Sequence, residues 1–220
     1  MINRELYMEQ ITPFIDKPFV KVITGIRRCG KSVVLRLIRE ELLRRGVSED
    51  YIIYMNFESF EWIDMKEAKA LYAHIREATK ASGKYYILLD EIQEVTDWEK
   101  AVNAFLVDLD VDIYVTGSNS RLLSSEFSTY LAGRYVAFHI MTLSFREYLL
   151  FHDLPLTISV SDRKTEFLKY LRMGGFPAIH TANYDYNAIY KIVYDIYSSV
   201  ILRDTVQRHS IRNVEMLERV

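Results

Sequence analysis

Hydrophobic positions along the chain alternate between two periods. Phe19–Thr24, Tyr51–Phe57, Tyr85–Leu89, Val111–Thr116 and Tyr135–Ile140 are short runs rich in β-branched and aromatic residues, which predict five buried strands. Between them the apolar residues recur at helical spacing. The pattern predicts helices over residues 3–11, from Val33 to Arg45 with a stop at Gly46, over 64–82 closed by Ser82-Gly83, over Trp98–Leu109 and over 120–132. Strands alternating with helices imply an α/β fold with a central, mostly parallel five-stranded sheet between helices. From about residue 145 the pattern changes: helices are predicted over 145–152, 162–173 and Asn187–Arg203, with a short β piece at Leu156–Val160. Residues 1–150 are therefore expected to form one domain, and 151–220 a smaller helical lid and the start of a further region. Asn213–Val220 begins another helical pattern that stops without a turn signal, which suggests a fragment.

The first strand runs directly into Gly25-Ile26-Arg27-Arg28-Cys29-Gly30-Lys31-Ser32, which fits G-x-x-x-x-G-K-[ST]. Strand, loop and helix in that order suit a phosphate, because the helix N-terminus presents unpaired N–H groups and a positive dipole end. Two glycines let the backbone wrap phosphate oxygens where a Cβ would intrude. Lys31 is expected to reach the β- and γ-phosphates and the Ser32 hydroxyl to ligate Mg²⁺, with Gly25 to Ser32 and Val33 lining the nucleotide. A second acidic element, Asp90-Glu91, follows the third strand. Asp90 is expected to hold Mg²⁺ from the strand beside the first, and Glu91 to polarise a water against the γ-phosphate. At the end of the fourth strand, Thr116-Gly117-Ser118-Asn119-Ser120 offers polar groups where ligands of open α/β sheets bind. Asn119 is the preferred contact, with Ser118 the alternative.

Taken together, GIRRCGKS, YYILLDEIQ, YVTGSNSRLL, YLAGRYVAFHIMTLSFREYL and LRMGGFPA resemble the AAA-type ATPases of archaea and bacteria. In that family a P-loop AAA domain precedes a separate C-terminal domain, often winged-helix or nuclease-like. The resemblance covers residues 15–210. It implies an AAA-like P-loop nucleoside triphosphatase using ATP and Mg²⁺. It makes Gly25–Ser32 the Walker A loop, Asp90 and Glu91 the Walker B pair, and Asn119 the first sensor. Asn56 matches the polar residue that can hold the Walker B glutamate inactive, although a turn role after the strand is the preferred reading. Arg134 falls where an arginine finger projects to a neighbouring subunit's γ-phosphate, a role worth roughly 10³–10⁵ in rate; a helix-end contact is the alternative. Arg172 is the candidate second sensor, with a residue that only flanks a helix end as the alternative. Self-association, and a DNA or protein partner reached through the C-terminal region, follow as expectations.

Composition narrows the picture without redirecting it. Lys+Arg 28 against Asp+Glu 30 gives −2, so no global basicity points to nucleic acid. Residues 27–45 are locally basic (Arg27, Arg28, Lys31, Arg36, Arg39, Arg44, Arg45 against Glu40 and Glu41), which reads first as a solvated helix face. The single cysteine, Cys29, rules out an intrachain disulfide and a cysteine-built zinc site. No apolar leader or membrane-length run occurs, so a cytoplasmic protein without membrane contact is expected. The five histidines lack metal-ligand spacing. No Asn-Lys-x-Asp motif reads guanine, which favours ATP over GTP. The leading expectation is ATP hydrolysis driving a conformational change. A nucleotide-dependent assembly switch with slow hydrolysis is the alternative, and a small-molecule kinase is disfavoured by a water-activating Glu91.

Overall fold

The computed structural model describes residues 4–117, 131–182 and 184–198. They fall into two compact units: residues 4–25 with 31–140, and residues 26–30 with 141–198.

The first unit carries the sheet. In chain order its elements are α1 (Glu5–Ile11), β1 (Val20–Gly25), α2 (Lys31–Arg44), β2 (Ile52–Asn56), α3 (Ala68–Ala78), β3 (Tyr85–Asp90), α4 (Trp98–Asp108), β4 (Val111–Gly117) and β5 (Tyr135–Ile140). The strand order is β2-β3-β4-β1-β5 and every pairing is parallel. β1 and β3 are buried along their whole length, which is why they lack polar alternation. One face packs Val22, Met55, Ile87, Leu89, Ile113 and Val115 against Leu71, Ile75, Trp98, Val102 and Phe105 of α3 and α4. Each fully buried Leu, Ile or Phe there contributes roughly 1.5–3 kcal/mol.

The strand order corrects one expectation. β4 separates β1 from β3, so Asp90 does not lie on the strand adjacent to the phosphate-loop strand. Propensity locates strands, whereas neighbour relations depend on which side of the sheet each crossover helix returns.

The amino ends of β1, β3 and β4 are tied by buried polar groups. Lys21, fully buried on β1, forms an ion pair with Asp112 of β4 and donates to Lys17 O at 2.9 Å. Asp112 also accepts from Tyr114 Oη at 2.8 Å and from Asp16 N at 2.9 Å. Asp16 in turn accepts from Tyr86 Oη of β3 at 2.9 Å. Burial pushes the Lys21 ammonium below its usual value while the Asp112 charge pulls it back. With hydrogen bonds satisfying the pair, a charge can sit inside a central strand. This clamp occupies one end of the sheet and leaves the carboxyl ends for chemistry.

The helix expected between the second and third strands is shorter at both ends. The helix expected over 64–82 becomes a 3-10 turn, Phe60–Met65, followed by α3. Ala68 N donates to Thr96 O at 3.1 Å and Thr96 N to Lys66 O at 2.9 Å, which holds the intervening backbone extended. At the far end the Thr79 hydroxyl bonds back to Ile75 O at 2.9 Å, and the helix stops at Ala78.

The second unit is helical: α5 (Phe145–Phe151), α6 (Val160–Met173) and α7 (Tyr186–Ile196). A capping box, Ser144 with Glu147, starts α5. The β piece expected at Leu156–Val160 does not form. Ser159 instead accepts from Asp162 N at 3.1 Å as the cap of α6, and a capped helix uses these backbone groups more completely than an isolated strand could. Phe145, Tyr148, Phe167 and Tyr170 pack ring against ring between α5 and α6. Of the expected helix over Asn187–Arg203, residues 199–203 lie outside the described residues, as does nearly all of the helix expected over 120–132.

Candidate functional site

The link between β1 and α2 is a tight loop whose conformation requires its glycines. Gly25 has φ +152° and Gly30 φ +105°, both costly for a residue with a Cβ, and Arg28 is itself left-handed at +64°. Cys29 N donates to Ile26 O at 3.3 Å, and the Cys29 side chain is buried. Ile26, Arg27 and Arg28 are exposed. Lys31 is the first residue of α2 and Ser32 the second, half-buried.

At the carboxyl end of β3, Asp90 is fully buried, and two hydroxyls hold its carboxylate. Thr116 Oγ1, from β4, donates to one oxygen. Tyr54 Oη, from β2, donates to the other at 3.0 Å. Burial first, then the Asp90 charge, push the Tyr54 phenol well above its usual range, so it stays a donor. Thr116 Oγ1 also accepts from Glu91 N at 3.0 Å. One hydroxyl thus orders both acids and substitutes for direct contact between β1 and β3.

Glu91 occupies a left-handed conformation, φ +54° and ψ +48°, a strained position for a side-chain-bearing residue. The residue is 7 % exposed, and its carboxylate lies 3.4 Å (Oε1) from Lys31 Nζ. Gln93 Nε2 donates to the other oxygen, Oε2. Lys31, Asp90 and Glu91 are therefore brought together within the first unit.

The remaining sequence candidates distribute differently. Asn56 sits in register with Asp90, but its Oδ1 accepts from Glu58 N at 2.9 Å, the turn role. Arg134 precedes β5 at the amino end of the sheet. Its guanidinium donates to Asn103 Oδ1 of α4 at 3.0 Å, away from Lys31 and Glu91 of the same chain. Arg172 is exposed in the last turn of α6. Asn119 and Ser118 lie outside the described residues. Part of the basic run is neutralised on the surface of α2: Arg44 and Arg45 pair with Glu41, and Arg39 with Glu49. The sequence reading does not single out Tyr54 and Gln93, which contact the two acids, and it places Thr116 in the strand-end motif without its bond to Asp90. Thr116 is marked by its place at the tip of a strand ending in Gly117; nothing in the local sequence marks Tyr54.

A parallel sheet with a glycine loop after its first strand, and acids at the tip of another, defines the class of P-loop ATPase folds. Comparison with known proteins agrees. Residues 17–149 match the AAA domain family, and the chain belongs to it. An uncharacterised protein of Haemophilus influenzae is 39% identical over 221 residues, covering 100% of this chain and 54% of its own length. One from Methanocaldococcus jannaschii is 34% identical over 223 residues, covering 99% and 48%. The chain thus spans about half the length of the curated relatives it matches. A Walker-type ATPase of Pyrococcus abyssi shares the fold with TM-score 0.59 at 14% identity, over 96% of this chain and 76% of that one. AMPPCP-bound DnaA from Aquifex aeolicus superposes with TM-score 0.53 at 15% identity, over 80% and 58%. Among the described residues no helix is long and apolar enough to cross a membrane.

Proposed function

We propose that the chain binds ATP with Mg²⁺ and hydrolyses it, and that the nucleotide state drives a conformational change of the helical unit as a lid. The observation that carries this reading is the meeting of Lys31, at the start of the helix after the glycine loop, with Glu91 beside a buried, hydroxyl-held Asp90. Loop amides and Lys31 would neutralise the phosphates. Glu91 would take a proton from water as its oxygen forms a bond to the γ-phosphorus. The bond from that phosphorus to the β–γ bridging oxygen breaks, and ADP and phosphate leave. The donor set suits Mg²⁺: Ser32 and Asp90 offer hard oxygens, and each Asp90 oxygen keeps a lone pair after accepting its hydroxyl. When bound, the ion would offset the negative charge that builds on the phosphate oxygens. Asn119 would orient the water, and Arg134 would act as a finger in trans if copies of the chain assemble, with its place at the sheet's amino end suiting a neighbour better than its own site. Cytoplasmic location and a DNA or protein recipient of the motion, reached through a C-terminal region, complete the reading.

The test is steady-state ATP hydrolysis with binding measured in parallel. Lys31→Ala should abolish nucleotide binding, whereas Glu91→Gln should keep ATP and lose turnover by about 10²–10⁴. Hydrolysis at the parent rate by Glu91→Gln would refute the base assignment. The Lys31–Glu91 pair also favours a second reading, a slow switch whose base is held until phosphate draws Lys31 away. Oligomer size with and without ATP, set against turnover, separates the two.

A further inference from the structure

Gln93 has a chemically odd position two residues after Glu91. A carboxylate only accepts, so the carboxamide must present its nitrogen to Glu91 Oε2, and this fixes the amide orientation. The other end, Gln93 Oε1, is buried, and among the described residues it is a side-chain atom that no donor reaches. A buried acceptor left without a donor is costly, and native proteins keep few of them. Triphosphate oxygens cannot supply the missing donor, because they too only accept. Water can: a molecule that gives one proton towards Glu91 has a second O–H to place.

We infer that Gln93 is a further residue of the hydrolytic machinery, its carboxamide nitrogen orienting Glu91 and its oxygen taking the second O–H of the water that Glu91 activates. Three features converge on this role. Glu91 is held in a left-handed backbone conformation, so its side chain needs lateral support to keep a fixed aim. Lys31 Nζ lies 3.4 Å from Oε1, whereas Gln93 donates to Oε2, so Gln93 keeps its grip on the carboxylate when phosphate competes for the lysine. Asn56, the strand-end amide that could have held Glu91, is committed to Glu58 N instead. A carboxamide suits this bridge because it offers a donor and an acceptor in one plane.

The inference rests on the hydrolytic reading, and its test is arranged so that the two can fail separately. ATP turnover, the Kd for a fluorescent ATP analogue and the melting temperature are measured for the parent, Lys31→Ala, Gln93→Met and Gln93→Glu. Met keeps the volume without donor or acceptor; Glu keeps the shape but sets a like charge against Glu91. Both Gln93 variants should lose about 10–100-fold in kcat, the scale of one charge-assisted hydrogen bond, with Kd unchanged and a folded state that still melts cooperatively. Parent-like kcat in Gln93→Met overturns the inference. So does a loss matched by weaker nucleotide binding, or by unfolding of both variants, since either makes Gln93 structural. If parent and Lys31→Ala hydrolyse ATP alike, the hydrolytic reading itself falls.

Discussion

Thr116 shows how one hydroxyl can organise a site. It donates to Asp90 and accepts from Glu91 N, so both acids depend on a residue that is itself fully buried. Thr116→Val keeps the shape and removes both bonds, leaving a buried carboxylate and a buried amide with one partner fewer each. The expected cost is about 1–3 kcal/mol of stability, together with slower turnover, while Thr116→Ser should retain both. Chemical denaturation and ATPase assays on the pair check this, and parent-like values for Thr116→Val would contradict it. Cys29 is weighed at the same scale. Its burial inside the phosphate loop makes it a packing residue first, and a poor target for bulky thiol reagents in the folded protein.

Among the helices, α5 and the turn after α6 are joined by a polar relay. His180 Nε2 lies 2.8 Å from Gly174 O, so that nitrogen carries the proton and donates. Its Nδ1 is then the acceptor for His152 Nε2 at 3.1 Å, with the Tyr148 ring packed against both imidazoles and the Tyr148 hydroxyl donating to Glu166. Burial, the largest influence, and the His152 charge lower the His180 pKa below its usual 6.5, against the Gly174 carbonyl, which raises it. Because the folded value is depressed, the unfolded chain binds the proton better. The relay's contribution is therefore full above pH 6.5 and is lost as pH falls through the lowered folded value. Thermal melts followed by near-UV circular dichroism should show the helical unit weakening below pH 6.5, with a smaller pH dependence in His180→Asn. Equal slopes in parent and variant would eliminate the relay as the cause. Gly175 belongs to the same turn: a Cβ there would meet Leu143 O at 2.5 Å, where Leu143 N already donates to Gly175 O at 2.7 Å.

At the level of the whole molecule, nucleotide binding and folding are linked. A ligand that binds only the folded chain stabilises it by about 2.7 kcal/mol at a hundred times its Kd. For a chain of this size that is a rise in melting temperature of roughly 5–10 °C. Calorimetry with a non-hydrolysable ATP analogue should register that rise with Mg²⁺, a reduced one in EDTA, and none in Lys31→Ala. An unchanged midpoint with the Mg²⁺ complex at saturating concentration would remove nucleotide binding from the account.

Period and composition by themselves determined the five strands, the helical character of residues 145–196, and the glycine loop with its lysine, because those features are written in consecutive residues. Asp90 and Glu91 were equally legible at the tip of an apolar run. Strand order was not, since both Asp90 beside β1 and Asp90 two strands away satisfy the same pattern. Nor could spacing distinguish Asn56 from Gln93 as the amide beside Glu91: the left-handed turn at Glu91 brings Gln93 back to the carboxylate, while Asn56 closes its own turn. Local sequence dictates which elements form. Partners contributed by different strands, such as Thr116 and Tyr54 on Asp90, are decided only when the sheet is assembled.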